Sequence, residues 1–270
     1  MSKLAFIGGG NMARSLIGGM LARGHDPALI AVGEPFVAAR EALHSQFGVT
    51  VSADNRAVVD GASTIVLAVK PQMMKSVCAD LPALDQSVLV VSIAAGVTLT
   101  QMRRWLGPGP RLLRVMPNTP ALIGAGTTAL CGEPGLAETD YREAEALFSS
   151  VGKTVRISDE QLMDAVTAVS GSGPAYFFLL MESMEAAAIA QGLSPEAARQ
   201  LVTGTALGAA RMADEDAEGP AELRRRVTSP GGTTAAAVAV FEKAGMASIT
   251  DQAIEAATAR GRSLAAEQES

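Results

Sequence analysis

Histidine and cysteine are scarce in this chain: two of each in 270 residues. His25 and His44 fall in helix-end or loop contexts, so a histidine metal site or a Ser-His-Asp relay has almost no material. Cys78 and Cys131 form no C-x-x-C pair and read as buried thiols of a cytosolic protein. Positive charge is also short. The formal net charge is -6, which argues against nucleic acid or an anionic membrane as partner. No apolar run reaches membrane-spanning length; Ala175 to Met181 stops at Glu182. The apolar start Lys3–Ile7 is too short for a signal peptide and breaks into glycines. Internal repeats and low-complexity segments are lacking too.

What remains is a chain that can bury a core. It is 48% hydrophobic and 19% charged, which places it among globular proteins. Its length allows one large domain or two ordinary ones. Lys3–Ile7 reads as a strand and Gly8–Gly9–Gly10–Asn11–Met12–Ala13 follows it. Met12, Leu16, Ile17, Met20 and Leu21 then fall on one face of a helix that Gly24 ends. Strand, glycine turn and helix form the context that gives G-x-G-x-x-G/A a meaning. Gly8 permits the tight turn, Gly10 lets a pyrophosphate approach the backbone, and Ala13 lets helix pack on strand. The helix start turns free N–H groups and a partial positive charge toward the phosphates.

Strand and helix signals alternate to about Ser158. Strands are expected at Leu29–Val32, Val49–Val51, Thr64–Lys70, Ser87–Ile93 and Arg111–Met116, with Thr127–Cys131 and Lys153–Ile157 as outer additions. The wholly apolar middle strands suit a parallel sheet covered on both faces. Residues 1–158 therefore read as an α/β, Rossmann-type doubly wound domain. From 159 to 270 only helix and turn signals appear. Gly173–Pro174 opens a helix to Gln191 that has little polar face, and such a helix needs burial on all sides. One small domain gives little room for that, which points to a partner chain. Ser194–Pro195–Glu196 starts the next helix, expected to run to about Met212. Asp214–Glu218 reads as a polar connector, and Thr233–Ala244 and Ile249–Ala266 as the last helices.

The strand ends carry the candidate cofactor contacts. Glu34 closes the second strand about twenty residues past the glycines, where a carboxylate bonds the ribose of NAD and repels the 2′-phosphate of NADP. It reads otherwise as an exposed loop residue before Pro35. Arg40 is the nearby cation for a 2′-phosphate, at a distance of about one helical turn. Ala68–Val69–Lys70–Pro71 ends a central strand, and Lys70 reads either as proton donor or positioning charge or as a lysine reaching solvent. Ala94 and Ala95, in Ser92–Gly96, are small enough for a flat ring to approach. In the helical half, Ser229–Pro230–Gly231–Gly232–Thr233–Thr234 combines free backbone, hydroxyls and a helix start. It reads as a carboxylate site or as a glycine-rich helix cap. Gly171–Ser172–Gly173–Pro174 reads as a helix break for tight packing, and Arg224–Arg225–Arg226 as a solvated helix face.

On these residues the sequence resembles pyrroline-5-carboxylate reductase, the last enzyme of proline synthesis. The resemblance runs over essentially the whole chain: Phe6–Ala13, Ala68–Pro71, Ser92–Gly96, Arg114–Ala121, Asp164–Thr167, Ser170–Tyr176 and, most specific, Leu223–Thr234. It implies a Rossmann domain, an all-helical C-terminal dimerisation domain and, in many members, a decamer. It implies reduction of (S)-1-pyrroline-5-carboxylate to L-proline by NADPH or NADH. Ile7, Gly8, Gly10, Asn11, Met12, Asn55, Ala68, Val69, Lys70 and Pro71 are then cofactor contacts. Ser229, Gly231, Gly232 and Thr233 hold the substrate carboxylate, Thr234 stands by the ring nitrogen as the catalytic residue, and Glu160 lines the same site. Two departures stand out. Glu34 occupies a place where many members carry small or hydroxyl residues, which leans toward NADH. A family acidic residue falls within Asp214–Glu218, where Asp216 and Glu218 are both candidates. Rival readings are a β-hydroxyacid dehydrogenase and a nucleotide-sensing protein without turnover. The first places a Lys on the long helix, and no Lys occurs between Lys153 and Lys243.

Overall fold

A computed structural model describes residues 3–267. The chain alternates β1 (Leu4–Ile7), α1 (Asn11–Ala22), β2 (Ile30–Gly33), α2 (Val37–Phe47), β3 (Thr50–Ser52), α3 (Asn55–Val59), β4 (Thr64–Leu67), α4 (Met74–Asp80), β5 (Leu89–Ser92), α5 (Leu99–Leu106) and β6 (Arg111–Met116). It continues with β7 (Gly126–Gly132), α6 (Glu138–Phe148), β8 (Gly152–Arg156), α7 (Met163–Val166), α8 (Gly173–Ala190), α9 (Pro195–Glu215), α10 (Pro220–Arg226), α11 (Thr233–Lys243) and α12 (Met246–Glu267). The strands form one sheet in the order β3-β2-β1-β4-β5-β6-β7-β8. Pairing is parallel except between β6 and β7. The order reverses direction between β1 and β4, the crevice where such sheets take ligands. This is the doubly wound fold expected from the alternation, with helices and turns alone after β8 among the described residues.

Register levels the carboxyl ends of the strands. Ile7 pairs with Gly33 and with Leu67, Leu67 with Ser92, and Ser92 with Arg114. β1, β2, β4 and β5 are buried throughout, because helices cover both faces. Phe6, Leu16, Ile17, Val32 and Leu43 lie in the core of one face, and Ile7, Ile65, Leu67, Met74 and Met102 in that of the other.

By contacts the described residues divide into two compact units, one of residues 3–172 together with 255–267, the other Gly173–Ile254. The change of texture near Ser158 and this division mark different things. The first is where strands stop; the second keeps α7 and the end of α12 with the sheet.

Several local expectations need adjusting: α12 starts at Met246 rather than Ile249, and β5 spans Leu89–Ser92 rather than Ser87–Ile93. The strand read at Thr64–Lys70 ends at Leu67, because Pro71 opens a 3-10 turn capped by Lys70. α9 runs to Glu215 rather than Met212, since Ala213 and Glu215 are good helix formers and the Asp216 N–H still donates to the Met212 carbonyl at 3.0 Å. The break at Gly171–Pro174 is a π-turn over Thr167–Gly171, its wide ring closed by the Ser172 N–H on the Thr167 carbonyl at 2.8 Å. Gly171 is bare there because the Met116 methyl lies against its Cα, which is the tight packing expected.

Candidate functional site

The glycine turn is built by close approach. Gly8 has φ +101°, and a Cβ on it would stand 2.7 Å from the Ala68 carbonyl oxygen. Only glycine meets both conditions. Its N–H donates to the Gly33 carbonyl at 2.8 Å, and the Ala68 N–H donates to Ile7 at 2.8 Å. Ala68 and Val69 therefore sit directly on the turn. The Gly9 peptide is held at both ends: its N–H donates to Glu34 Oε2 at 3.0 Å and its carbonyl accepts from Arg14 Nε at 3.2 Å. Gly10 is exposed, and nothing lies within 4 Å of where its Cβ would be. It caps α1 without a side-chain acceptor, so the first amides of α1 face this open space. The cradle fits a pyrophosphate: bare backbone, free N–H groups, and no carboxylate in the first helical turn.

The neighbouring strand ends gather around it. Asn55, first residue of α3, lays its side-chain oxygen over the Cα of Gly33. Glu34 is buried, and its Oε1 accepts from the Phe36 N–H at 3.1 Å. Arg40 does not stay a helical turn away. Its guanidinium donates to the Glu34 and Pro35 carbonyls at 2.7 and 2.8 Å, at the end of β2. Lys70 is exposed beside half-buried Pro71. Ala94 is buried and Ala95 half-buried on the connection after β5. Ile7, Gly8, Gly10, Asn11, Met12, Glu34, Asn55, Ala68–Pro71, Ala94 and Ala95 thus lie along one edge of one sheet.

The second candidate element lies among the helices of the other unit. Gly231 has φ +73°. The Gly232 N–H donates to the Ser229 carbonyl at 3.1 Å, and Ser229 Oγ crowds the place of a Gly232 Cβ at 2.6 Å. Gly232 caps α11 without a side-chain acceptor. Ser229 and Thr233 are exposed and Thr234 half-buried at this start. Backbone freedom, hydroxyls and unpaired amides come together, as a carboxylate would require.

The basic triplet before this loop is paired residue by residue. Arg224 meets Glu242 at 3.1 Å, Arg225 meets Glu222, and Arg226 meets Asp216. Asp216 also accepts from the Glu218 N–H at 2.9 Å. That bond first, then Arg226, holds its carboxyl below the usual range.

Arg114 and Arg14 take structural roles that none of the motifs announces. Arg114 leaves a readable trace, since an arginine inside the apolar run Leu112–Met116 demands a buried partner. Its partners are Glu160 at 3.1 Å and Asp164 at 3.6 Å. Glu160 is therefore bonded within the sheet unit, and the Cys131 thiol beside it is pushed up to about 11, by burial first and then by the Glu160 charge. Arg14 gives no such trace.

Fold and sheet edge together define a dinucleotide-dependent oxidoreductase with a helical second half. Residues 160–264 match the family profile described as pyrroline-5-carboxylate reductase dimerisation. Residues 3–96 match that of NADP oxidoreductase coenzyme F420-dependent. A pyrroline-5-carboxylate reductase of Pseudomonas aeruginosa is 47% identical over 97% of both chains. A solved pyrroline-5-carboxylate reductase from Coxiella burnetii has TM-score 0.93 and 40% identity, covering 97% of this chain and 98% of its own. The Plasmodium falciparum enzyme, solved with NADP bound, has TM-score 0.86 and 29% identity over 98% of both. The chain belongs to the pyrroline-5-carboxylate reductase family.

Proposed function

We propose that the chain reduces the C=N bond of 1-pyrroline-5-carboxylate to give L-proline. The observation that carries this reading is the presence of two anion-binding elements of different kind in one chain. One is a glycine cradle open at Gly10; the other is a hydroxyl-rich helix start at Ser229–Thr234 with no fixed positive charge of its own. The first suits a diphosphate, the second a single carboxylate.

The roles follow from the chemistry. Gly8, Gly10, Asn11 and Met12 receive the pyrophosphate, with Ile7 and Asn55 beside it. Ala68–Pro71, Ala94 and Ala95 line the sheet edge toward the ring end of the dinucleotide. A bound reduced nicotinamide supplies a hydride. Ser229, Gly231, Gly232 and Thr233 hold the substrate carboxylate and so fix the ring's pose. The imine reacts as its protonated iminium, an electrophile that needs little activation. Orientation is then the main demand on the protein. Thr234 accepts the ring N–H in a hydrogen bond and passes a proton at that nitrogen. No histidine is needed.

Glu34 favours NADH. Its charge sits at the end of β2, where a 2′-phosphate would come close, and each oxygen keeps a lone pair for a ribose hydroxyl. The second reading, NADPH, is favoured by Arg40, whose guanidinium lies on the Glu34 carbonyl at 2.7 Å. The apolar α8 supports self-association as a dimer, with larger assembly up to a decamer open to light scattering. A cytoplasmic setting accords with the free, buried Cys78 and Cys131. An absorbance assay with pyrroline-5-carboxylate, run with NADH and NADPH in parallel, tests the reading. Imine-dependent oxidation, faster with NADH, is expected. Dinucleotide binding without oxidation would leave only a sensing role.

A further inference from the structure

The connection between β5 and α5, Ile93–Thr98, has no strand or helix to hold it, yet it carries Ala94 and Ala95. Its start is tied by Ser92, whose Oγ accepts from the Ala94 N–H at 3.3 Å. In its middle, Gly96 has φ +72° and faces Leu264, 3.4 Å from where its Cβ would be. Its far end is the N-terminus of α5. There Thr98 and Gln101 form a reciprocal cap, and Gln101 Nε2 donates to the Ala265 carbonyl at 3.0 Å. The Leu99 N–H, first of α5, donates to Glu160 Oε1 at 2.7 Å.

The same Glu160 oxygen accepts from Arg114 Nη1 at 3.1 Å. Arg114 stands on β6 directly opposite Ser92 of β5. Its side chain is 5% exposed and Glu160's 26%. Arg114 Nη2 lies 3.6 Å from Asp164, against which Gly261 of α12 packs. A buried guanidinium must keep its carboxylates, so Arg114 pins Glu160, and Glu160 pins the end of the connection.

We propose that Arg114 and Glu160 are positioning residues for the dinucleotide's ring end, acting through the Ser92–Leu99 connection. This rests on the reading that Ala94 and Ala95 line the cofactor. Replacing Glu160 removes the Leu99 tie from the α5 N-terminus and leaves Arg114 with Asp164 alone. The phosphate cradle at Gly8–Ala13 is left untouched.

The test compares a whole dinucleotide with ADP-ribose, which lacks the ring. In Glu160→Gln, calorimetry is expected to show NADH binding about tenfold weaker with ADP-ribose unchanged, within the cost of a misplacement remote from the chemistry. The KM for pyrroline-5-carboxylate at saturating dinucleotide stays at the wild-type value. Thr98→Ala loosens the same connection without stranding a charge and is expected to shift NADH in the same direction, so the proposal survives a Glu160 variant that fails to fold. A rise in the pyrroline-5-carboxylate KM with NADH binding unchanged makes Glu160 a substrate ligand and overturns the proposal. Equal weakening of NADH and ADP-ribose, or no change in either, overturns it as well. If the wild type binds NADH but does not oxidise it with the imine, the proposed function fails, while the two binding constants still decide the positioning role.

Discussion

The sheet unit and the helical unit handle apolar surface in opposite ways. In the sheet unit β1, β2, β4 and β5 are closed on both faces, and Phe6, Leu16, Ile65 and Leu67 are wholly buried. From Gly173 to Ile254 the buried residues are Gly173, Ala198 and Val202 alone. Phe177, Phe178 and Leu179 stand 62–64% exposed on α8. α8 packs on α9, but that contact covers little of its circumference. The sheet closes its own core because each helix is apolar on one side. α8, apolar nearly all round, cannot be closed by one neighbour. The difference is that the sheet unit closes its apolar surface within one chain and the helical unit does not.

The largest effect is expected from attacking that exposed face. Leu179→Glu removes about 1.5–3 kcal/mol of burial on each side of a two-fold contact and adds the cost of burying a charge. Association is expected to fall about 10³-fold or more, read by sedimentation at micromolar concentration. An unchanged dimer would remove α8 from the interface. Next comes Thr234→Ala, at the start of α11. Loss of a positioned hydroxyl is expected to lower kcat/KM by about 10–10³, with association intact. Unchanged kinetics would take Thr234 out of the site.

The sheet unit calls for gentler tests. Glu34→Ser is expected to move the NADPH/NADH ratio of kcat/KM toward NADPH by about tenfold, measured in parallel assays. Because Glu34 also holds the Gly9 N–H, a small loss with both dinucleotides is expected beside the shift. A wild type that already prefers NADPH would sink this reading of Glu34. The smallest effect concerns the thiols. Burial pushes Cys78 up to about 12 and Cys131 up to about 11. Their neutral forms are therefore favoured in the fold, and the stability this gives is full below the unfolded thiol value near 9. It is lost as pH climbs from there through the folded values. At pH 8 a thiol reagent should leave both untouched until denaturant is added. Rapid labelling of Cys131 in the folded chain would show that the sheet unit opens near Arg114.

Much of the fold was open to reading because its signals are local. An apolar strand, three glycines and an amphipathic helix state the Rossmann start within Leu4–Ala22, and Ser194–Pro195–Glu196 states the start of α9 as plainly. The Ser194 hydroxyl does accept from the Ala197 N–H at 3.2 Å. The antiparallel turn of β7 has no such mark, since residue type does not encode the direction of pairing. Of the candidate site, the residues whose backbone matters were visible, because glycine and small residues announce close approach. Charged side chains that bend back into the protein were not. Glu34 reads as facing a ribose or as an exposed loop residue before Pro35, and the second reading fails because its side chain turns inward, buried, onto the Gly9 N–H. Arg40 shows the same limit, since spacing along α2 does not reveal that its guanidinium curls back onto the strand end.

The arginine run at Arg224–Arg226 has one more consequence. A lone stripe of cations would reach out through solvent and draw anions in, at a rate falling steeply with added salt. Here each guanidinium is matched on the spot by Glu242, Glu222 or Asp216, and the field of a close pair dies away faster than that of a single charge. An incoming carboxylate meets almost no long-range pull from this run. If the proposed carboxylate site is right, recognition falls to the dipoles and hydroxyls of Ser229–Thr234 on arrival, and capture is expected to be nearly indifferent to ionic strength.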